Sequence, residues 1–301
     1  MSTQTLLLPP LSRLSGVFAL PRLLGRGDRE PARMPGLLAA LAEVFAVPGS
    51  DLPVAALLRE AQAHDAGENV WLCADPAWVR AELAGARLLA CGALVLARDE
   101  AEELARPLRP LLGDAGMLLE ISTPDRWQLR LPVGSPLPSF AAPETVLGQH
   151  LLAHLPQGAE GRRWRALFTE LQVLLHQHPR NRARAQQGLP PVNALWLWGG
   201  GALPSRPRTT LTRLLSADPL ARALAQHARV TICSDTAQLR GLGDTWVDLA
   251  ERAPQDVQPF LDAAVCRLRR GAVLRLAFLD GARWRITSAQ RWRFWRRAWR
   301  P

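Results

Sequence analysis

The sequence predicts an α/β fold with an α+β N-terminal part, in which a mixed sheet is covered by helices. Three observations support this class. Apolar strand patterns alternate with helical patterns along the second half of the chain, and a helix followed by a hairpin pattern lies within residues 99–131. The length of 301 residues, 48% of them hydrophobic, also suffices for a large buried core.

The first 143 residues are predicted to form two parts. Residues 1–67, rich in Pro, Leu and Ala, form an N-terminal helical arm, and residues 68–143 form a small α+β unit with Asp99 as a helix cap. Pro124 and Asp125 favour a tight hairpin turn, and four prolines mark residues 131–143 as a crossing loop. The predicted elements are helices 34–45, 53–63 and 99–112 and strands 69–73, 117–122 and 127–131.

Residues 144–301 are predicted to form an α/β unit that ends in an amphipathic helix. The sequence contains no internal repeat at the spacing of a solenoid or a propeller. The predicted helices are 145–154, 162–176, 209–216, 219–227, 236–241 and 254–269, the strands are 194–198, 229–233 and 245–249, and a hairpin joins 273–279 to 283–287.

The segment from 170 to 201 is the most informative part of the chain. A helical pattern must end before Pro179, because proline lacks an amide donor and restricts the residue before it. A basic polar turn, two further prolines, an apolar strand and three glycines follow. Its polar groups either form an anion pocket or tie the loop to its own backbone, and both uses stay open. The anion-binding candidates are Asn181, Arg184, Asn193, Gly199, Gly200, Gly201 and Arg206.

These motifs carry a family resemblance. The chain reads His-Pro-x-Asn-x-x-Arg at 178–184, Gly-x-Pro-Pro-x-Asn at 188–193 and Trp-x-Trp-Gly-x-Gly at 196–201. This run resembles archaeal-type cofactor-independent phosphoglycerate mutases of the alkaline phosphatase superfamily. With WLCADP at 71–76 and DRWQLRLP at 125–132, the chain more closely resembles a bacterial group of RpfE-type regulatory proteins, over residues 52–299. The resemblance implies a reduced phosphoglycerate-mutase-like architecture.

An active member of that superfamily needs two divalent metals, held by aspartates and histidines, and a serine nucleophile. The sequence lacks the corresponding motifs, so no metal ligands are predicted and the catalytic residues stay unknown. His176 with His178, and His150 with His154, are interpreted as capping, packing or surface pairs rather than ligands. Asp235, Asp244 and Asp248 stand at strand ends, where aspartates also serve as caps and turn residues.

Charge and composition narrow the chemistry. The net charge is +10, and all 37 basic residues are arginines. Without lysine, a phosphate site would have to use arginine and backbone amides, although a GC-rich coding bias also explains this composition. Four widely spaced cysteines without a C-x-x-C pair indicate buried thiols. The N-terminus shows no signal-peptide pattern, so a cytoplasmic location is predicted.

The last residues, RWRFWRRAWRP, are predicted to form an amphipathic helix with the interaction candidates Trp292, Arg293, Trp295, Arg296 and Trp299. The helix either packs its tryptophans onto the preceding hairpin or binds nucleic acid, a membrane surface or a protein. No RRM, helix-turn-helix or zinc-finger pattern supports binding to nucleic acid.

The function predicted from the sequence is that of a non-catalytic regulatory or interaction protein on a phosphoglycerate-mutase-like scaffold. It needs no cofactor, and its partner is an unknown protein or a phosphorylated small molecule. The alternative is an active cofactor-independent phosphoglycerate mutase or a metal-dependent phosphohydrolase, which would use Mn²⁺ or Mg²⁺.

Overall fold

A computed structural model describes all residues except 1, 15, 18, 50, 84, 240–242, 294, 300 and 301. The chain divides into two compact units. One unit is continuous, residues 49–204, and the other combines residues 1–48 with residues 205–301. The fold is mixed α/β, as predicted.

Within the described residues, both units consist of short strands and helices. The strands are β1 (Thr3–Leu8), β2 (Asp28–Glu30), β3 (Val70–Glu82), β4 (Gly85–Cys91), β5 (Leu118–Thr123), β6 (Arg126–Leu131), β7 (Ala194–Ala202), β8 (Leu211–Leu215), β9 (Thr231–Ile232), β10 (Asp244–Asp248), β11 (Val273–Phe278) and β12 (Arg283–Ile286). The helices are α1 (Leu20–Arg26), α2 (Leu37–Val44), α3 (Val54–Ala63), α4 (Arg98–Ala105), α5 (Leu108–Asp114), α6 (Pro143–Val146), α7 (Gly158–His176), α8 (Pro179–Gln186), α9 (Pro219–His227) and α10 (Pro254–Arg269).

The continuous unit is built on an antiparallel sheet. Its strands run in the order β4-β3-β6-β5, and β7 pairs with the other edge of the long strand β3. On one face, Leu72, Trp127 and Leu195 pack with residues of α4, α5 and α7 to form the core. Helix α3 lies against β3 and β7. The sheet is therefore buried along its central strands.

The discontinuous unit contains a seven-stranded sheet in the order β2-β12-β11-β1-β10-β8-β9. The five strands from β11 to β9 are parallel, and β12 and β2 extend the sheet antiparallel to them. Its core combines alternate strand residues such as Leu6, Leu276 and Phe278 with apolar residues of α1 and α10.

This division differs from the three parts predicted at 1–67, 68–143 and 144–301. Strand β1 lies between β10 and β11, so the N-terminal residues belong to the sheet of the C-terminal segment rather than to a separate helical arm. Parallel strands take their partners from distant parts of the chain, and local patterns do not reveal such pairings.

Several predicted elements are corrected by the structure. Residues 209–216, predicted as a helix, contain β8, because pairing with β10 and β9 decides the conformation of a short apolar run. The helix predicted at 99–112 is two helices separated at Arg106 and Pro107, and Ala97 rather than Asp99 is the N-cap residue. The helix predicted at 145–154 is a 3-10 turn, Leu151–His154, preceded by α6.

The helix predicted at 236–241 falls partly outside the described residues, and the structure has a 3-10 turn at Ala237–Leu239. Of the four cysteines, Cys73 and Cys233 are buried, Cys91 is half-buried and Cys266 is exposed, so burial was wrongly predicted for Cys266. In the described part of the chain, no helix combines the length and apolar character that a bilayer span requires.

Candidate functional site

The segment with the mutase-like motifs begins with two consecutive helices. Helix α7 ends at His176, as the proline rule requires, but Pro179 is the first residue of α8. The polar turn predicted here is therefore a helix, because proline is compatible with the first helical position. His178 is its N-cap residue, and its Nδ1 accepts a 3.2 Å hydrogen bond from the Arg180 amide. The capping interpretation of this histidine is confirmed.

Asn181 links the two helices to the entry of β7. Its Nδ2 donates to the carbonyl oxygens of Leu175, at 2.7 Å, and Val192, at 2.9 Å. Its Oδ1 accepts from the Val192 amide at 2.8 Å. The amide side chain thus makes three hydrogen bonds to backbone groups of its own unit.

Arg184 is a buried arginine, with only 1% of its surface exposed. Its guanidinium donates to the carbonyl oxygens of Pro190 (2.7 Å) and Leu94 (2.6 Å) and to Glu100 Oε1 (3.0 Å). The carboxylate and the two carbonyls compensate the buried positive charge. Through these contacts, Arg184 connects α8 to the loop that precedes α4.

Asn193 extends the pairing of β7 with β3. Its Oδ1 accepts from the Val79 amide at 2.8 Å, and its Nδ2 donates to the Val79 carbonyl at 2.7 Å. Ala77 and Ala194 are the last paired residues of the two strands. Beyond them, the Asn193 side chain makes the two hydrogen bonds that a backbone peptide group would make if the pairing continued.

The three glycines lie inside β7 instead of after it. Four residues of β7, from Trp198 to Gly201, lie opposite three residues of β3, from Trp71 to Cys73, so the strand has a bulge there, and Gly199 adopts a left-handed φ of +59°. A Cβ atom on Gly199 would lie 2.7 Å from Val54 Cβ, and one on Gly201 would lie 2.8 Å from Pro53 Cβ. Gly199 and Gly201 therefore permit a close approach to the start of α3, whereas Gly200 lies against Leu137 and Leu72.

Arg206, the last anion-binding candidate, lies in the discontinuous unit. Its Nε and Nη2 both donate to the Ala228 carbonyl, at 3.2 and 2.8 Å. The candidates therefore do not converge on one open pocket within the described residues. Their contacts instead match the alternative use, in which they hold the chain in place.

Three of the quoted motifs form a charged cluster around a buried carboxylate, which was not predicted from the sequence. Asp75, from WLCADP, is 1% exposed, and its Oδ2 accepts a 2.8 Å hydrogen bond from Trp198 Nε1. Arg126, from DRWQLRLP, lies 3.4 Å from Asp75 Oδ1 through its Nε and stacks over the Trp198 ring. The pairing of β3 with β6 and β7 brings the motifs together, and local sequence carries no signal for it.

Burial controls the protonation of this cluster. Loss of hydration raises the pKa of Asp75 to about 6, although Arg126 and Trp198 act in the opposite direction. Burial also raises the pKa of the Cys73 thiol, so Cys73 is not a reactive thiolate. Oδ1 of Asp75 has no hydrogen-bond partner among the described residues. The charge of Arg126, at 3.4 Å, is its counterpart instead.

The carboxyl edge of the parallel strands is where sheets of this kind place ligand sites. Polar side chains do gather there. Asp248 Oδ2 accepts from Ser216 Oγ at 2.7 Å and its Oδ1 from the Ala250 amide, and Asp218 caps α9 by accepting from the Ala221 amide. Asp280 accepts from the Leu11 and Ala282 amides. These carboxylates stabilise turns and a helix end.

Asp235 and Asp244, the other strand-end candidates, have similar partners. Asp235 accepts from the Gln238 amide, and Asp244 accepts from the Thr3 amide and from Thr210 Oγ1. The described part of the chain contains no group of three or more His, Cys, Asp or Glu arranged to hold a metal. This donor set does not fit a two-metal centre.

The amphipathic helix predicted at the C-terminus was wrong for the described residues. A 3-10 helix spans Ser288–Trp292, and the described residues that follow it are not helical. Trp292 and Trp295 are 62% and 69% exposed. Arg300 and Pro301 lie outside the described residues.

The terminal segment lies along α1 and β2. Trp299 donates its amide to the Pro21 carbonyl at 2.9 Å, and its ring packs edge-on against Trp284 with centroids 5.9 Å apart. Arg293 and Arg296 form ion pairs with Asp28, and the hydrogen bond from Arg293 lowers the pKa of Asp28. Packing onto the preceding hairpin, one of the two predicted uses, accounts for Trp299.

Comparison with known proteins shows a distant similarity to cofactor-independent phosphoglycerate mutases. No family model matches the chain. The 2,3-bisphosphoglycerate-independent phosphoglycerate mutase of Methanothrix thermoacetophila is 39% identical over 66 residues, 22% of this chain and 17% of that protein. A probable enzyme of the same name from Geobacter sulfurreducens is 40% identical over 62 residues, 21% of this chain and 16% of that protein. The match thus spans about one sixth of these relatives.

Two solved structures were also found. A cofactor-independent phosphoglycerate mutase from Thermoplasma acidophilum aligns with a TM-score of 0.41 and 15% identity, covering 95% of this chain and 90% of that one. A protein from Pyrococcus horikoshii aligns with a TM-score of 0.44 and 12% identity, covering 94% and 86%. The similarity to phosphoglycerate mutases therefore rests on the sequence match.

Proposed function

We propose that this chain is a non-catalytic regulatory or interaction protein of the RpfE type, derived from a phosphoglycerate-mutase-like scaffold. One observation carries the proposal: the polar side chains of the mutase-like segment are committed to the protein's own backbone. Asn181, Arg184 and Asn193 together make hydrogen bonds to four different backbone segments and to Glu100. Such side chains maintain a fold and leave few donors for a substrate.

The carboxylates at the carboxyl edge of the parallel strands support the same conclusion. Asp218, Asp248 and Asp280 accept hydrogen bonds from backbone amides that a turn or a helix end would otherwise leave unpaired. We further propose that the protein uses no cofactor, acts in the cytoplasm, and binds a protein or a phosphorylated small molecule.

A turnover assay distinguishes the proposed function from the alternative, an active mutase or metal-dependent phosphohydrolase. The purified chain is mixed with 3-phosphoglycerate and either Mn²⁺ or Mg²⁺, and formation of 2-phosphoglycerate and of free phosphate is followed. We expect neither product to form above the rate seen without protein. Metal-dependent turnover that Asp235→Asn or Asp244→Asn abolishes would overturn the proposal.

A matched control keeps that assay interpretable. Asp114 is an exposed carboxylate at the end of α5, in the other unit. Turnover that persists equally in Asp114→Asn, Asp235→Asn and Asp244→Asn preparations would show that neither strand-end carboxylate is catalytic, and such turnover would overturn the proposal if it stayed with the protein through a second purification step.

A further inference from the structure

An arginine-rich cavity of about 470 Å³ lies in the discontinuous unit, on the seven-stranded sheet beside α2. Four residues of β1, β11 and β12 line it, namely Thr5, Arg275, Ala277 and Arg283. These residues alternate along their strands with core residues, so the cavity opens on the face that the apolar core does not cover. Its remaining lining is Glu30, Pro31, Arg33, Glu43 and Val44.

Positive charge exceeds negative charge in this cavity. Arg283 lies 3.1 Å from Glu43, and Arg275 lies 3.8 Å from Glu30. Arg33, the third arginine, is exposed, and no ion pair joins it to a carboxylate among the described residues. Two of the three cationic charges are therefore balanced by the protein and one is left for a ligand.

Arg283 is held in position by three hydrogen bonds. It is 5% exposed, and its Nη1 donates to the carbonyl oxygens of Phe278, at 2.8 Å, and Ala282, at 3.0 Å. Its Nη2 donates to Glu43 at 3.1 Å, whereas its Nε has no hydrogen-bond partner among the described residues. A buried donor without a partner is uncommon in proteins.

We propose that this cavity binds a small phosphomonoester, with the phosphate oxygens accepting from the exposed guanidinium groups of Arg33 and Arg275 beside Arg283. Its volume is in the range of small-molecule sites. Thr5 offers a hydroxyl, while Pro31, Val44 and Ala277 offer apolar surface to a short carbon skeleton. The described lining has no aromatic side chain on which a nucleobase could stack.

The inference deepens the proposed function by naming the site of a phosphorylated ligand, and it rests on that function only for the class of ligand. The chain contains no lysine, so arginine is the side chain that must neutralise a phosphate. Planar guanidinium groups bind tetrahedral oxyanions through paired hydrogen bonds.

The test is a calorimetric titration of the full chain with three probes, 3-phosphoglycerate, inorganic phosphate and glycerate, at constant ionic strength set with sodium chloride. Thermal unfolding at each probe concentration gives a second readout, because a ligand of the folded state raises the Tm. We expect both phosphate-bearing probes to bind and glycerate to bind at least tenfold more weakly.

Three arginine variants locate the site. Arg33→Gln and Arg275→Gln change exposed side chains that line the cavity, so the fold should persist while affinity for phosphate falls at least tenfold. Arg285→Gln is the matched control, because Arg285 is the exposed cross-strand partner of Arg275 and does not line the cavity. It should bind like the unchanged chain.

Two results would overturn the inference. One is the absence of heat and of any Tm increase with both phosphate-bearing probes. The other is an equal effect of all three variants, which would indicate a nonspecific response to charge. The binding and turnover experiments fail independently. If the cavity binds no phosphate, the proposed function as a protein-binding regulator is unaffected. If the chain shows turnover, the non-catalytic function is refuted but the cavity proposal is not.

Discussion

Trp198 donates its indole N–H to the buried carboxylate of Asp75 over 2.8 Å, joining the mutase-like segment to the strand that contains WLCADP. Arg126 completes the cluster from a third strand. All three side chains belong to the motifs that carry the family resemblance. The motifs thus meet in a buried structural cluster whose charge depends on pH.

The first prediction concerns the pH dependence of stability. Burial raises the pKa of Asp75 to about 6, above its ordinary value of 3.8. The folded chain therefore holds a proton that the unfolded chain releases between these pH values, and the free energy of unfolding falls as pH rises from about 4 to 6. The fall attributable to this group is up to about 3 kcal/mol.

Urea unfolding at pH 4, 5, 6 and 7 measures this effect. Asp75→Asn should remove that part of the slope, while Asp114→Asn, which changes an exposed carboxylate, should keep it. Parallel stability curves for Asp75→Asn and the unchanged chain would show that Asp75 does not titrate in this range.

The second prediction concerns the buried guanidinium of Arg184. Arg184→Met should lower the free energy of unfolding by about 3 kcal/mol, because Glu100 and the carbonyls of Leu94 and Pro190 lose their donors. Arg184→Lys should restore little of it, since an ammonium cannot reproduce the planar fork. Chemical denaturation is the measurement, and Arg182→Ala, an exposed change in the same helix, should cost under about 0.5 kcal/mol.

The third prediction separates steric from conformational effects at the bulge in β7. Gly199→Ala combines a left-handed φ with a clash against Val54 and should destabilise the fold by more than about 2 kcal/mol. Gly188→Ala has a φ of +71° but open space around its Cβ, and should cost only about 1 kcal/mol.

A double-mutant cycle checks the cause. Adding Val54→Gly to Gly199→Ala should cost less than the two single changes together, because it removes the Val54 Cβ that lies 2.7 Å from the added methyl group. Additive costs in denaturation experiments would exclude the contact with α3 as the reason for the glycine.

The fourth prediction concerns the C-terminal tryptophans. Trp299→Ala should lower stability by about 1 kcal/mol or more, because it removes the edge-on contact with Trp284. Trp292→Ala and Trp295→Ala change side chains that are mostly exposed and should stay within about 0.5 kcal/mol. If thermal unfolding shows all three to be equal, the packing of this segment is not as described.

Local patterns predicted many elements well. Helix α10 was predicted over its full length, because proline suits its first position and its apolar residues recur at helical spacing. Strands β5 and β6 were predicted with their tight turn, since Pro124 and Asp125 separate two apolar runs. Strand β8 was mistaken for a helix, because five residues are too few for either period to be evident.

The contacts of the candidate site residues were harder to predict from the sequence than the helices and strands. Asn181, Arg184 and Asn193 were recognised as a polar set, but their partners at Leu94, Val79 and Val192 depend on tertiary packing. The same holds for the arginine cavity, where residues from both ends of the chain meet only because β1 pairs with β11. Pairing between distant strands leaves no periodic signal.

The stability of Asn181→Ala, with and without 3-phosphoglycerate, tests most directly whether the mutase-like segment serves the fold. Three hydrogen bonds to Leu175 and Val192 are lost, so we predict a decrease of about 2 kcal/mol in the free energy of unfolding and an unchanged ligand-induced rise in Tm. Gln186→Ala, an exposed change in the same helix, should alter neither. Unchanged stability together with loss of the ligand-induced rise would contradict a structural role and identify Asn181 as a ligand contact.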